Sequence, residues 1–258
     1  TVTVSTAFTA MDGERLAEPV SFAFRIRGPV LLACFEYSNE FATTLAGMPG
    51  HFQTLLASVA ADPARPIGMF DSGLGGLTVA RAVIDLLPHE DLIYFGDTAR
   101  NPYGPRPVED VRRFALEITD FLVGQDVKLV VVACNSAESA AFYEESGRYD
   151  VPIVTVIEPG VKAGLAATRN GRIGVIGTEA TIATGAYERE FGKRSDDVEL
   201  ISKACPKFVD FVEAGDTTSD AVFAAAVEYL TPLREAGIDT LVLGCTHYPL
   251  LSGVIQYV

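Results

Sequence analysis

The chain has 258 residues, 48% of them hydrophobic and 21% charged, enough apolar content for one large core or two smaller ones. Its 20 Lys and Arg stand against 34 Asp and Glu, a formal net charge of −14 that repels phosphate backbones and anionic lipid headgroups. Neither nucleic acid nor a membrane is therefore expected as a partner. Apolar runs such as Leu129–Cys134 fall far short of the roughly 20 residues a bilayer demands, and no basic-then-apolar start marks a secretory signal. The expected setting is the cytoplasm, where the four cysteines, Cys34, Cys134, Cys205 and Cys245, stay reduced.

Residues 1–65 fit no simple scheme. Phe22, Phe24 and Ile26 alternate like one face of a strand, and Phe52–Ala61 reads as a helix ending before the Asp62-Pro63 and Arg65-Pro66 breaks, but no role follows from either. From Pro66 onward, short β-branched runs alternate with helical patterns, the signature of βα units on a parallel sheet. The predicted strands are Ile67–Phe70, Leu92–Phe95, Lys128–Ala133, Ile153–Val156, Arg172–Ile176, Val198–Ile201 and Thr240–Leu243. Between the second and third, Val111, Phe114, Ala115, Ile118, Phe121 and Leu122 recur at helical spacing and predict a helix over Val108–Leu122. The Pro159-Gly160 step predicts a break, which divides the chain into an extension of residues 1–65, a first α/β unit of residues 66–159 and a second of residues 160–258. The chain starts with Thr and stops at Val258 inside an apolar, uncapped pattern, so a fragment is expected.

Two segments share a design: LVVVACNS around Cys134 and LVLGCTH around Cys245 each run from an apolar strand through a small residue to a cysteine and two hydrogen-bonding side chains. In open α/β sheets the carboxyl ends of strands face the ligand crevice, so both thiols are expected at a site. A helix starting just after each would lower its pKa towards neutrality, which suits general-base work. A lone cysteine after a buried strand is usually an inert apolar residue; two in matched contexts point to chemistry. Cys34 and Cys205 lack the pattern and read as structural.

Asp71-Ser72-Gly73-Leu74-Gly75-Gly76 follows the first strand of the α/β part and feeds a helix. Its glycines allow close backbone approach to an anion, although tight packing explains them equally, and the spacing is not a dinucleotide fingerprint. Asp71 reads either as a site acid or as a cap of that helix. Gly96-Asp97-Thr98-Ala99-Arg100-Asn101-Pro102-Tyr103-Gly104-Pro105 is a polar loop stiffened by two prolines, a site element or merely a rigid connection. Cys245 and His247 could share a metal, but three histidines in the chain and no CxxC or HxxxH spacing argue against a zinc site.

These segments, with GTEATI, ACPKFVDFVE and LGCTHYPLL in the same order, resemble the glutamate racemase family over about three quarters of the chain. The resemblance implies two doubly wound parallel-sheet α/β domains with the active site between them. It implies racemisation of glutamate for peptidoglycan without cofactor or metal, by two cysteines acting as acid and base on opposite faces of the α-carbon. It carries catalytic roles onto Cys134, Cys245, Asp71, Glu213 and His247, and substrate contacts onto Asp71, Ser72, Tyr103, Gly104, Asn135, Ser136, Thr181, Thr246 and His247. An acidic amino acid is the implied partner, and a homodimer is allowed. Aspartate, or another acidic amino acid, is the alternative substrate, and a non-catalytic relative that only binds ligand or protein is the alternative of another kind. Ser136 stands where the family most often has threonine, residues 1–65 have no counterpart in the family core, and the family chain continues beyond the CTHYPLL motif.

Overall fold

The computed structural model describes residues 62, 64–142 and 146–258, together with the backbone of strands β1 (Val2–Ser5) and β2 (Phe22–Ile26). The predicted helix at Phe52–Ala61 and Cys34 lie outside the described residues. All seven predicted strands of the α/β part form: β3 (Ile67–Asp71), β4 (Leu92–Gly96), β5 (Leu129–Val132), β6 (Ile153–Val154), β7 (Arg172–Gly177), β8 (Glu199–Ala204) and β9 (Thr240–Gly244). They fall into two sheets, one ordered β1-β2-β4-β3-β5-β6 and the other β8-β7-β9. Pairing among β3 to β6 and among β7 to β9 is parallel throughout, while β2 runs antiparallel along the outer edge of β4 and β1 along β2. The Phe22–Ile26 alternation is thus a strand, and its register against β4 (Phe22 opposite Gly96, Ile26 opposite Leu92) extends the first sheet.

Both faces of the first sheet are covered, which is why its strands read as continuous apolar runs. Successive residues of β3 point to opposite sides: Phe70 packs with Phe95, Phe114, Ile118 and Leu122, and Ile67 and Met69 pack with Val79, Val83 and Tyr94. The helices responsible are α1 (Leu77–Leu86) and α2 (Val108–Gly124), the latter close to its predicted span, with Glu109 and Asp110 in a first turn that favours negative charge. The second sheet is sandwiched likewise. Ile173 and Val175 meet Ile157, Val161 and Phe191 on one side, and Ile176 meets Phe208, Leu230 and Tyr248 on the other.

The predicted break at Pro159-Gly160 does not occur. These residues sit in the first turn of the helix Ile157–Ala167, where a proline's missing N–H forfeits no intrahelical bond. Strand β6 is correspondingly short, and Ile157 and Val161 already belong to the core of the second sheet. The crossing between sheets is held by Glu138, whose Oε2 accepts the N–H groups of Val156 (2.7 Å) and Ile157 (2.9 Å).

Candidate active site

Every segment singled out for chemistry lies at the carboxyl end of a strand, and the two sheets turn those ends towards each other. Asp71 closes β3, the 97–106 loop follows β4, Cys134 follows β5, Thr178 follows β7 and Cys245 follows β9. Between them is a cavity of about 130 Å³ lined by Ser72, Asn101, Pro102, Tyr103, Gly104, Pro105, Cys134, Asn135, Ser136, Thr178, Glu179, Pro206, Val209, Asp210, Cys245, Thr246 and His247. The two thiols, one from each sheet, therefore share one cavity. Both are unpaired and buried, as is Cys205.

Their surroundings differ. A single helical turn, Asn135–Ala137, does begin directly after Cys134, but the expected fall in its pKa does not follow. Burial, reinforced by the negative charge of Asp71, pushes the Cys134 thiol up to about 12, against the opposing pull of the Ala137 N–H and the Ser72 hydroxyl. One turn supplies too little dipole to offset full desolvation. Cys245 instead has a built partner: His247 Nδ1 stands 3.7 Å from its Sγ, and His247 Nε2 is 2.6 Å from Glu213 Oε1. Burial pulls the imidazole's pKa down, but its bonds to Cys245 and Glu213 outweigh that and bring it up to about 10. The Glu213 carboxyl is held below its usual range by the hydrogen bond from His247, and further by that from Asn101. His247 is thus a bonded, chargeable group and not simply a packed histidine.

Asp71 is fully buried and does not cap the following helix. Its Oδ2 accepts the Gly73 N–H (3.1 Å), and its Oδ1 accepts the Thr246 hydroxyl (3.2 Å) from the other sheet. The glycine turn after it serves packing rather than an anion. A Cβ on Gly75 would fall 2.6 Å from Thr246 Oγ1 and 2.7 Å from His247 Nδ1, and one on Gly76 would collide with Asp71. Only Ser72 of that turn reaches the cavity.

The 97–106 loop is a site element. Asp97 anchors it, taking the Tyr103 hydroxyl at 2.5 Å and Arg100 Nε at 2.6 Å, while Arg100 Nη1 reaches Glu117 Oε2 at 2.6 Å. Burial and the adjacent Asp97 charge keep the Tyr103 phenol protonated by raising its pKa. Gly104 meets the second sheet, its carbonyl accepting the Ala180 N–H at 3.0 Å. Across the cavity floor, Ser136 Oγ lies 2.8 Å from Thr178 Oγ1 and 3.3 Å from Thr181 Oγ1, and the two threonine hydroxyls are 3.0 Å apart. Tyr187 donates to Asn135 Oδ1 at 2.7 Å, so the amide's orientation is set from the second sheet.

Residues 77–257 match the Asp/Glu/Hydantoin racemase family. The chain belongs to that family. It is 60% identical over 196 residues to the glutamate racemase of Beutenbergia cavernae, an alignment covering 75% of this chain and 67% of that protein. Among solved structures it is similar to the glutamate racemase isoform RacE1 of Bacillus anthracis, with a TM-score of 0.72, 42% identity, and 75% of this chain and 73% of that one covered. It is also similar to the Francisella tularensis glutamate racemase in complex with D-glutamate, with a TM-score of 0.70, 39% identity, and 75% and 73% covered. The two parallel-sheet α/β arrangement is the fold of this racemase family.

Of the residues carried over from the family, Cys134, Cys245, Ser72, Tyr103, Gly104, Asn135, Ser136, Thr246 and His247 line the cavity. Asp71, Glu213 and Thr181 stand one bond behind it, on Thr246, His247 and Ser136. Sequence reasoning named Asn101 only as part of its loop and gave no role to Thr178, Glu179 and Asp210, which also line it. Thr178 had a signal, since a threonine between a strand and Glu179 is an N-cap pattern, and it does cap the next helix by accepting the Thr181 N–H at 3.2 Å. Among the described residues, no group of three or more His, Cys, Asp and Glu is placed to hold a metal, and no helix is long and apolar enough to cross a membrane.

Proposed function

We propose that this chain interconverts L- and D-glutamate by moving the α-proton between Cys134 and Cys245, supplying D-glutamate for peptidoglycan. The observation that carries the reading is the single cavity lined by one thiol from each sheet. Glutamate is favoured over aspartate by the relative at 60% identity, which is a glutamate racemase.

Burial keeps the Cys134 thiol protonated, and in the proposed reaction His247, 3.7 Å from Cys245 Sγ, holds the proton of that thiol while it acts as thiolate. That thiolate takes the proton from the substrate α-carbon, the electron pair left behind is delocalised into the adjacent carboxylate, and the Cys134 thiol delivers its proton to the opposite face. The result is the other enantiomer, with a Cys134 thiolate and a Cys245 thiol, and the reverse reaction starts from that state. Donors from Ser136, Thr178 and the loop backbone suit a ligand with two carboxylates, since hydrogen bonds to charge are the strong ones. Closure of the cavity by Pro102, Pro105, Pro206 and Val209 limits water at the carbanion. Acid and base both come from the protein, so no cofactor is invoked.

Two domains meeting within the helix Ile157–Ala167, near the expected 159/160 boundary, with strands β1 and β2 along the edge of the first, complete the proposed organisation. A second copy of the chain as partner is checked by sedimentation. A reducing, cytoplasmic setting belongs to the same proposal, since the two reacting thiols have to stay free. The deciding experiment incubates the full chain with either enantiomer of glutamate in deuterated water, without added cofactor. Loss of optical rotation with one deuterium gained at the α-carbon is expected; rotation unchanged and no exchange would sink the reading.

A further inference from the structure

We propose that Asn101 is a positioning residue for Cys245, an inference that rests on the racemase reading above. Asn101 belongs to the loop after β4 of the first sheet, yet its Nδ2 donates to Glu213 Oε1 at 3.1 Å. That oxygen is the one His247 Nε2 approaches at 2.6 Å, and His247 Nδ1 is 3.7 Å from Cys245 Sγ. Asn101, Glu213, His247 and Cys245 thus form one chain of contacts that starts on the first sheet and ends at the thiol of the second. Because a carboxylate oxygen can only accept, the bond to Glu213 dictates which way the amide faces. The facing has a cost, since Asn101 Oδ1 is left buried without a hydrogen-bond partner. An amide that merely filled space would be free to turn that oxygen elsewhere. The donor end is the end that is used, and it steadies the carboxylate that orients the imidazole, much as outer-shell partners fix the ring orientation of other functional histidines.

The two substitutions that separate positioning from space filling are Asn101→Ala and Asn101→Asp, assayed as full chains for glutamate interconversion over a range of pH. Removing the donor in Asn101→Ala lowers kcat about tenfold, with a smaller change in KM, because the interaction steadies the reacting thiol's partner rather than the substrate. Asn101→Asp keeps the shape but sets a carboxylate against Glu213. Its loss exceeds that of Asn101→Ala at about pH 8 and is partly recovered as the pH falls and the new carboxyl gains a proton to donate. A space-filling role gives the opposite order, with Asn101→Asp close to wild type at every pH, and that result overturns the proposal, as does an unchanged kcat in both variants. Should Asn101→Ala fail to fold, the near-isosteric Asn101→Asp decides alone. A wild-type chain that leaves both enantiomers untouched overturns the functional reading itself, which the variants' relative rates cannot do.

Discussion

Asp71 Oδ1 accepts a hydrogen bond from Thr246 Oγ1 at 3.2 Å across a sequence separation of 175 residues, joining the tip of the first strand after the extension to the motif after the last. The acid of one half is oriented by the hydroxyl beside the thiol of the other, so the site exists only when both halves are in place.

Cys134→Ser and Cys245→Ser are each expected to lower racemisation by at least about a thousandfold, because an alcohol is a far weaker acid than a thiol and general acid–base catalysis contributes on that scale. Stereochemical assay in both directions checks this. Near-normal turnover in either variant would remove the two-thiol assignment.

The pH dependence follows from His247. Its pKa rises from 6.5 to about 10 in the folded chain, so its contribution to stability is fully present below about pH 6.5 and is lost as pH rises through about 10. His247→Asn should be less stable than wild type by a few kcal/mol at neutral pH, a gap that closes towards pH 10. Denaturant unfolding of both proteins at pH 6, 8 and 10 gives the comparison; a gap that widens with pH contradicts the ion-paired imidazole.

Gly75→Ala tests the contact between halves. The added methyl meets Thr246 and His247 at under 3 Å, so one side must move. Overpacking of this kind typically costs about 1–3 kcal/mol, and the displacement falls on the partner of Cys245. Turnover should drop more than melting temperature implies. A variant with full activity would show that the two halves have slack at this point.

Glu138 carries a prediction of the opposite sign. Burial, only partly offset by the Ile157 and Val156 N–H groups, pushes its pKa up from 4.5 to about 7. Ionising it therefore opposes folding, and stability falls as pH rises from 4.5 through 7. Glu138→Gln, which keeps an oxygen to accept both N–H groups, should be more stable than wild type above pH 7 by on the order of 1–3 kcal/mol, and equal to it near pH 4. Melting curves across that range would expose an error as a variant that is weaker at pH 8.

Incubation with a strong chelator should leave turnover unchanged, since the proposed acid and base, Cys134 and Cys245, are both side chains of the cavity. Activity abolished by the chelator and restored by zinc would require a different mechanism.

What could be read from the residues and what could not divides along sequence distance. The seven strands are local patterns, and each forms, because a parallel strand buried on both faces advertises itself as an apolar run. The paired cysteines were legible for the same reason, as strand ends. Partnerships across the cleft left no local trace: nothing near Asp71 announces Thr246, and nothing in NPYG announces that Asn101 reaches Glu213. Pro159 misled because its effect depends on where a helix begins, and a first-turn proline is as acceptable as a breaker is disruptive. The thiol of Cys134 misled because burial, invisible in one dimension, outweighs a short helix. The Phe22–Ile26 alternation identified a strand without saying whose edge it would cover.

Ser136, Thr178 and Thr181 make a closed triangle of hydroxyls spanning the two sheets. Each oxygen can give or receive, so the sense in which the protons circulate reverses by rotation about three C–O bonds while every heavy atom stays still. A floor built from fixed N–H donors would be polarised once and for all, matching one hand of a ligand better than its mirror image. This one can be re-polarised on demand, so the same three oxygens can donate to a group at one moment and accept from it at the next.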